Sequence, residues 1–295
     1  YAKDGGNGVL NSKQLIWEVR GGENNTFEAR NLPMGFEGAK GGNTPTQNLV
    51  DEFDFLDGTP FDWNNPLHVA KMYYDKEGKP TRDPRLYLNV ICDGMNYMNQ
   101  VVEPLEGGKN GTPIEGATTT GYYLKKLMNE TVSLSPVTPV TKPHHYPVFR
   151  YAEILLNYAE ALNETGQKDK AYKELDKVRN RVGLPDMSDA LLHRLQSGKS
   201  LPVYNECALE GDAELREEIL DERARELAFE EVRWFDIARW KRADVFKKTL
   251  HGVNVTIKSG SVAEGNLQLN FEQPKVESVS RFWQKNFSPK WYMSA

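Results

Sequence analysis

The chain has 295 residues, of which 39% are hydrophobic and 27% are charged, so it can bury a core and lacks the composition of a disordered tail. Its net charge of -5 disfavours a protein dedicated to nucleic-acid binding, which normally carries a basic face. The mean hydropathy of -0.64 and the absence of a long apolar run predict no membrane-spanning helix.

The two cysteines, Cys92 and Cys207, lie far apart in the sequence. This count excludes a disulfide framework, and the wide spacing excludes a thiolate zinc site, which needs clustered ligands. The chain begins at Tyr1 and shows no basic segment followed by an apolar one, so no export signal is visible. We expect the chain to be processed or cut from a longer one.

The first half of the sequence is rich in residues that interrupt regular structure. Residues 1–150 hold 17 of the 24 glycines and 12 of the 16 prolines, which predicts a half dominated by loops. Its many aromatic residues argue against disorder. Alternating apolar residues predict strands at 15–20, ending at the glycine pair that follows, and at 86–92, and a third is expected at 122–124. Segments 33–45 and 104–121 are expected to be long loops.

The second half shows helical periodicity. Apolar residues recur every three or four positions from Tyr151 to Leu162 and again from Ala171 to Val182, and Gly166 lies between the two runs. These runs predict two helices that fold back on each other as a tetratricopeptide-type hairpin. One such hairpin cannot bury its own face, so we expect it to stack on a further element.

Two more helices are expected over 213–231 and 232–246, followed by a short strand at 253–257. The predicted fold class is therefore mainly α, with tetratricopeptide-type helical hairpins that support a loop-rich layer with a few short strands. The predicted regions are a loop-rich layer at 1–147 that binds the ligand, a helical scaffold at 148–250 and an irregular, truncated segment at 251–295.

The most suggestive charges lie on the third and fourth predicted helices. A glycoside hydrolase needs two carboxyl groups about 5 to 9.5 Å apart, and glutamates spaced by four residues share one helix face. Each acidic residue here also has an arginine at helical spacing, which favours a structural ladder of ion pairs over a catalytic pair. The residues of this predicted ladder are Glu222, Arg223, Glu226, Glu230, Arg233, Asp236 and Arg239.

Two other groups resemble metal sites only superficially. Adjacent side chains such as His144 and His145 rarely converge on one metal, so we interpret them as a loop pair. An acidic run could hold calcium through oxygen ligands but lacks the spacing of an EF-hand loop. We therefore expect no cofactor, with calcium as the alternative. The acidic residues of this run are Asp51, Glu52, Asp54, Asp57 and Asp62.

Four segments together resemble the RagB/SusD family of nutrient-binding outer-membrane lipoproteins. They occur in the order expected for that family and span most of the chain. The segments are 82–85 (RDPR), 150–164 (RYAEILLNYAEALNE), 178–185 (VRNRVGLP) and 222–240, which contains ERARELAFE and RWFDIARW. The lipid-bearing cysteine and N-terminal helical region of the family are not visible, so the chain resembles a C-terminal portion of a full member.

The resemblance implies a non-catalytic protein on the cell surface, lipid-anchored to the outer membrane in its full-length form. Such a protein binds an oligosaccharide, a polysaccharide or another nutrient and passes it to a SusC-like TonB-dependent outer-membrane transporter. The predicted partners include no nucleic acid, and contact with the membrane is expected only through the lipid anchor. The ion-pair ladder then belongs to the scaffold.

A sugar offers apolar C–H faces to aromatic rings and hydroxyl groups to amides and charges. Loops over a rigid support are where binding residues tend to lie. Trp63 is the preferred platform because it lies between Pro60 and Pro66 in a polar segment, whereas Trp17 on a strand is expected in the core. The predicted ligand-binding residues are Phe61, Trp63, Asn64, Asn65, Tyr73 and Tyr74.

Two other functions stay open at this stage. A carbohydrate-active enzyme would require two carboxylates that face a groove. A structural adaptor would hold an outer-membrane complex together through its helical face and bind no ligand of its own.

Overall fold

A computed structural model describes residues 12–198, 211–260 and 268–273. The helices in these ranges are α1 (Thr26–Asn31), α2 (Gln47–Asp51), α3 (Pro66–Ala70), α4 (Pro84–Asn89), α5 (Tyr151–Glu164), α6 (Lys168–Asn180), α7 (Met187–Gln196), α8 (Ala213–Glu226), α9 (Arg233–Arg239) and α10 (Asp244–Lys247). The strands are β1 (Leu15–Asn24), β2 (Val90–Ile91), β3 (Asn96–Tyr97), β4 (Gln100–Val101), β5 (Tyr123–Leu124), β6 (Lys142–Arg150), β7 (Asn254–Ser259) and β8 (Gln268–Glu272). No helix among these residues is long and apolar enough to cross a bilayer.

Helices α5 and α6 pack against each other across a three-residue connection, as their periodicity predicts. Gly166 adopts a φ of 72° in this connection, a left-handed conformation that suits glycine. Half of the apolar face predicted for α5 is buried, namely Leu155, Ala159 and Leu162, and Leu156 is buried beside them. The other half is exposed, namely Tyr151, Ile154 and Tyr158. The hairpin shares its core with α8 and Met187 of α7.

The region after α8 corrects the prediction of a helix reaching residue 231. Helix α8 ends at Glu226, and Phe229 and Glu231 both have a positive φ that breaks the helix. Lys126 donates hydrogen bonds to the carbonyl oxygens of Glu226 and Ala228, at 3.5 and 2.7 Å. These bonds satisfy carbonyl groups that a helix end leaves without partners. Two short helices, α9 and α10, then replace the single helix expected over 232–246.

Strands β1 and β6 form a two-stranded antiparallel ribbon that leads directly into α5. The predicted strand at 15–20 is confirmed, but it continues through Gly21 instead of ending there. A Cβ atom at Gly21 would lie 2.6 Å from the carbonyl oxygen of His144 on the paired strand, so glycine permits this close approach. His144 and His145 therefore lie on β6 and not in a loop.

The strand predicted at 86–92 is wrong over most of its length. Residues Pro84–Asn89 form α4, and only Val90–Ile91 are extended. Pro84 occupies the first helical turn, and the Asp83 carboxylate accepts a hydrogen bond from the Arg85 backbone N–H at 2.9 Å. This cap starts the helix, and the alternation of apolar residues does not prevent it. The strands expected near 122–124 and 253–257 are present as β5 and β7.

The loop layer has a hydrophobic core of its own. Segments 33–45 and 104–121 contain turns and bends but no helix or strand, as predicted. Val50, Phe53 and Leu86 are buried in this core together with Val253 and Val255 from the segment that was expected to be irregular. A second cluster around Leu32, Ile91 and Tyr123 continues the layer.

Candidate functional site

The four segments that carry the family resemblance meet in space around one set of buried charges, which we call the ion-pair network. Its residues are Asp83, Arg85, Lys126, Arg150, Arg179, Arg181, Glu218, Glu222, Arg225, Glu226 and Glu230. All of them except Arg181 are buried. The network joins the loop layer, the end of β6 and helices α6 and α8, so it holds these parts of the molecule together.

Glu226 is surrounded by three guanidinium groups. Its carboxylate oxygens lie 2.6 Å from Arg150 Nη1, 2.7 Å from Arg181 Nη2 and 3.1 Å from Arg85 Nη1. Burial alone would raise the pKa of Glu226, but these three guanidinium groups lower it to about 2. The carboxyl group is therefore ionised at neutral pH and poorly suited to donate a proton.

Glu222 and Glu230 are held in the same way. Glu222 lies within 3.1 Å of Arg85, Arg179 and Arg225, which lower its pKa against the effect of burial. Glu230 contacts Lys126 Nζ at 2.6 Å and Arg150 Nε at 2.7 Å, and these cations likewise lower its pKa despite burial.

The predicted ladder is thus paired, but mostly through partners distant in the sequence. Arg223 contacts Asp236 at 3.0 Å instead of Glu226, and Arg233 donates to the carbonyl oxygen of Leu220 instead of pairing with Glu230. Arg239 does contact Asp236 at helical spacing. These contacts indicate that the glutamates stabilise the fold. Glycoside hydrolysis requires two carboxyl groups with separated pKa values, whereas the pKa values of Glu222, Glu226 and Glu230 are all lowered.

The predicted aromatic patch is only partly at the surface. Phe61 and Tyr73 are 2% and 3% exposed and belong to the core of the loop layer, which corrects their placement on a contact surface. The guanidinium carbon of the buried Arg82 lies 4.5 Å above the Phe61 ring, and the Tyr73 hydroxyl contacts that of Tyr122 at 2.5 Å. Both rings therefore support the layer from below.

Trp63 is half-buried and packs edge-on against Phe61, with ring centroids 5.2 Å apart. Its indole N–H donates to Asp51 Oδ2 at 3.3 Å, which fixes the orientation of the ring. Asn64 beside it is exposed, whereas the Asn65 side chain caps α3 by accepting a hydrogen bond from Leu67 N–H at 3.0 Å. The surface part of the patch is therefore Trp63 and Asn64.

Tyr74 is half-buried and packs against Tyr87, with centroids 5.6 Å apart. Sequence reasoning missed Tyr87 because it was assigned to the predicted strand at 86–92. Tyr74, Tyr87 and Trp63 all pack against the core of the loop layer, so this one support carries all three half-exposed rings.

Asp93 is a second residue that sequence reasoning missed, since Asp93-Gly94 indicated only a turn. It is 5% exposed, and no hydrogen bond or ion pair reaches its carboxyl group from any described residue. Burial, with a smaller effect from Glu103, raises the pKa of Asp93 to about 7. A buried carboxyl group without a partner is costly when ionised, so Asp93 is a weak point of the layer.

The aspartates of the acidic run at 51–62 are engaged within the protein. Asp51 accepts hydrogen bonds from Gln47 and Trp63, and Asp54 lies 3.5 Å from Arg194. Asp57 and Asp62 accept from backbone N–H groups of their own turns, at 2.9 and 3.0 Å. In the part of the chain that the structure describes, no three His, Cys, Asp or Glu side chains come close enough to hold a metal ion.

A wide groove of about 870 Å³ lies beside the ribbon, between β6, α5 and α9. Trp17, which was expected in the core, is 63% exposed at its edge, because the two-stranded ribbon offers nothing to cover it. Trp240 on the helical side is half-buried, stacks 3.9 Å from the Arg239 guanidinium and donates to Glu160 at 2.8 Å.

The profile of the SusD family matches residues 14–293, so the chain belongs to this family. The chain is 34% identical over 199 residues to SusD-like protein P38 of Formosa agariphila, covering 66% of this chain and 33% of that protein. It is 41% identical over 98 residues to SusD-like protein P2 of the same organism, covering 33% and 17%.

Two solved structures from Bacteroides fragilis have the same fold. A SusD-like protein is 27% identical with a TM-score of 0.66, over 97% of this chain and 52% of its own. A SusD-like carbohydrate binding protein is 25% identical with a TM-score of 0.63, over 88% and 47%. The chain thus spans about half the length of these solved proteins and a third or less of the two Formosa proteins.

Proposed function

We propose that this chain binds carbohydrate at the cell surface without converting it. Membership of the SusD family supports this function, and one of the solved relatives is described as a carbohydrate binding protein. The observation that carries the proposal is the half-exposed ring of Trp63, fixed by Phe61 and Asp51 next to the exposed amide of Asn64. A flat ring beside an amide suits a sugar's C–H face and its hydroxyl groups.

The proposed support for this surface is a helical scaffold over 148–250, of which α5 and α6 form a tetratricopeptide-type unit, with the ligand-binding layer at 1–147. Binding is proposed to need no metal or cofactor, because the aspartates of the acidic run already have partners within the protein. The buried ion pairs around Glu222 and Glu226 argue against an enzyme, since each carboxylate is surrounded by cations.

In the full-length protein we place this layer outside the outer membrane, held there by a lipid anchor, where it passes its ligand to a SusC-like TonB-dependent transporter. The proposal predicts that the full-length protein co-purifies with such a transporter from detergent-solubilised outer membranes. If the full-length protein is recovered without any transporter, the proposed delivery step is wrong, whereas the proposed carbohydrate binding is unaffected.

The binding site is tested by the Trp63→Ala variant in affinity gels that contain starch, xylan, laminarin or pectin. Removing an aromatic anchor should weaken retention on the polysaccharide that binds the unchanged chain by about tenfold or more. Trp240→Ala is the matched control, because this tryptophan is also half-buried and hydrogen-bonded but lies on the helical side. Retention should persist in EDTA.

Unchanged retention of Trp63→Ala would remove Trp63 from the site. Loss of retention in both tryptophan variants would indicate a general loss of folding, which circular dichroism would reveal. Failure of every polysaccharide to retain the unchanged chain would favour a structural adaptor.

A further inference from the structure

A cavity of about 300 Å³ lies beside the ion-pair network. Its walls come from the end of α4, the residues that follow α6 and Gln14 just before β1. The residues that line it include none of the predicted aromatic patch around Trp63. The volume is at the lower end of the range for small-molecule sites, so the cavity suits a ligand of one or two rings.

Asn89, the last residue of α4, lines this cavity with a side chain that is almost enclosed. The residue is 3% exposed, and its carbonyl oxygen accepts hydrogen bonds from the N–H groups of Lys125 and Lys126 at 3.0 and 3.2 Å. Its side-chain amide makes no hydrogen bond with any residue that the structure describes. Buried amides are normally hydrogen-bonded, so an amide that lines a cavity without a protein partner is available to a ligand.

Arg181 brings a cation to the same cavity. Its Nη2 lies 2.7 Å from Glu226, and its Nη1 donates to Gln14 Oε1 at 3.1 Å. The Nε–H of Arg181 has no partner within the described ranges. A guanidinium group with a spare donor can form a charge-assisted hydrogen bond with a carboxylate.

The ion-pair network keeps an excess of positive charge after all of its pairs are counted. It contains six cationic residues and five carboxylates, with Glu222 and Glu226 each shared by three guanidinium groups. Asp54 and Arg194, which contact its edge, add one charge of each sign. Because Arg181 is the member of the network that is not buried, the excess lies closest to solvent at this cavity and favours an anionic ligand.

We propose that the cavity is a second ligand site, which binds one hexuronic acid ring as a free sugar or as the end of an acidic oligosaccharide. The carboxylate of the sugar meets the guanidinium group of Arg181, and its ring hydroxyl groups bond the amide of Asn89. Its C–H face packs on Leu88 and Val182, which are half-buried in the cavity wall. The site therefore selects for charge, whereas the proposed surface around Trp63 binds the face of a sugar ring.

Saturation-transfer NMR tests this site by comparing D-galacturonate and D-glucuronate with D-galactose and D-glucose. The neutral sugars carry a hydroxymethyl group in place of the carboxylate. We expect at least one acid to bind this chain about tenfold or more tightly than its neutral counterpart, because the neutral sugar lacks the hydrogen bond to a charged group. Equal binding of each acid and its neutral counterpart, or no binding of either acid, would overturn the proposal.

Asn89→Leu removes the amide and leaves the ion pairs in place, so it should weaken binding of the acid by about tenfold. Asn180→Leu is the matched control, because Asn180 precedes Arg181 but pairs with Asp186 outside the cavity. Circular dichroism checks that both variants are folded, and the comparison of acid with neutral sugar in the unchanged chain decides the matter if Asn89→Leu is not.

Trp63→Ala should leave binding of the acid unchanged, and Asn89→Leu should leave retention on the polysaccharide gels unchanged, so the two proposed sites can fail separately. Loss of acid binding in Trp63→Ala but not in Asn89→Leu would overturn the second site and place the acid at Trp63. Competition by acetate as effective as that by the acid sugar would also overturn it, since the cavity would then bind simple anions. Trigalacturonate identifies the source of the ring: binding at least as tight as that of galacturonate supports the end of a chain, and weaker binding supports the free sugar.

Discussion

The ion-pair network and the loop layer that carries Trp63 both bury charged side chains, which proteins usually leave exposed. In the network, eleven charged residues come together, and ten of them are buried, whereas in the loop layer the charged residue Arg82 and the aromatic residues Phe61 and Tyr73 share one core. Charge is tolerated inside because each glutamate of the network meets at least two cations. Asp93 in the loop layer has no such partner. The number of partners, more than residue type, sets what burying a charge costs in each region.

The largest effect is expected from breaking the network with Arg150→Met. This change leaves Glu226 and Glu230 with fewer cations inside the protein, and removing one partner of a buried ion pair costs about 3–5 kcal/mol. Urea denaturation followed by circular dichroism measures the free energy of unfolding. Arg20→Met is the control, because Arg20 pairs with Glu18 on an exposed strand and should cost about 1 kcal/mol or less.

An Arg150→Met variant as stable as the Arg20→Met variant would show that the network does not hold the two regions together. If the Arg150→Met variant lost binding without losing stability, Arg150 would belong to the ligand site and not to the scaffold.

The opposite result is expected at Asp93, where a neutral side chain should stabilise the protein. The pKa of Asp93 is raised to about 7 in the folded chain, so its contribution favours folding at low pH and is lost as the pH rises through 7. Asp93→Asn should therefore raise the free energy of unfolding at pH 8, by at most about 4 kcal/mol, and change it little at pH 4. Denaturation curves at the two pH values measure the difference, and a variant that is less stable at both would show that Asp93 has a partner in solution.

A smaller effect is expected when the network itself is titrated. The pKa of Glu226 is lowered to about 2, so its stabilising contribution is complete above the unfolded pKa near 4 and disappears as the pH falls toward 2. This residue alone should account for a loss of about 3 kcal/mol over that interval. In the Glu226→Gln variant, the free energy of unfolding should fall much less between pH 6 and pH 2. The same fall in both proteins would contradict the pairing of Glu226 with its arginines.

The sequence predicts the parts of the fold that depend on local pattern. The apolar spacing of α5 and α6 and the alternation in β1 indicate the elements found in the structure. It fails at Pro84–Asn89, because Leu86 and Val90 fit both a strand and a helix face, and the cap formed by Asp83 decides between them.

The candidate site was less accessible to sequence reasoning. Helical spacing identifies the right carboxylates but not their partners, since Arg85 lies 137 residues from Glu222 and Arg150 lies 76 residues from Glu226. Among neighbouring aromatic residues, composition cannot tell that Phe61 is covered by Arg82 while Trp63 reaches the surface. Both failures concern tertiary contacts that no local pattern encodes.

The central claim, capture without conversion, is tested most directly by recovering the ligand. The chain is incubated overnight with a defined oligosaccharide from the polysaccharide that retains it. The complex is separated from unbound sugar by gel filtration and denatured, and the mass of the released sugar is measured by mass spectrometry. The account predicts the intact oligosaccharide, in an amount that falls sharply with Trp63→Ala. Shortened fragments, or the same small amount from both proteins, would contradict it.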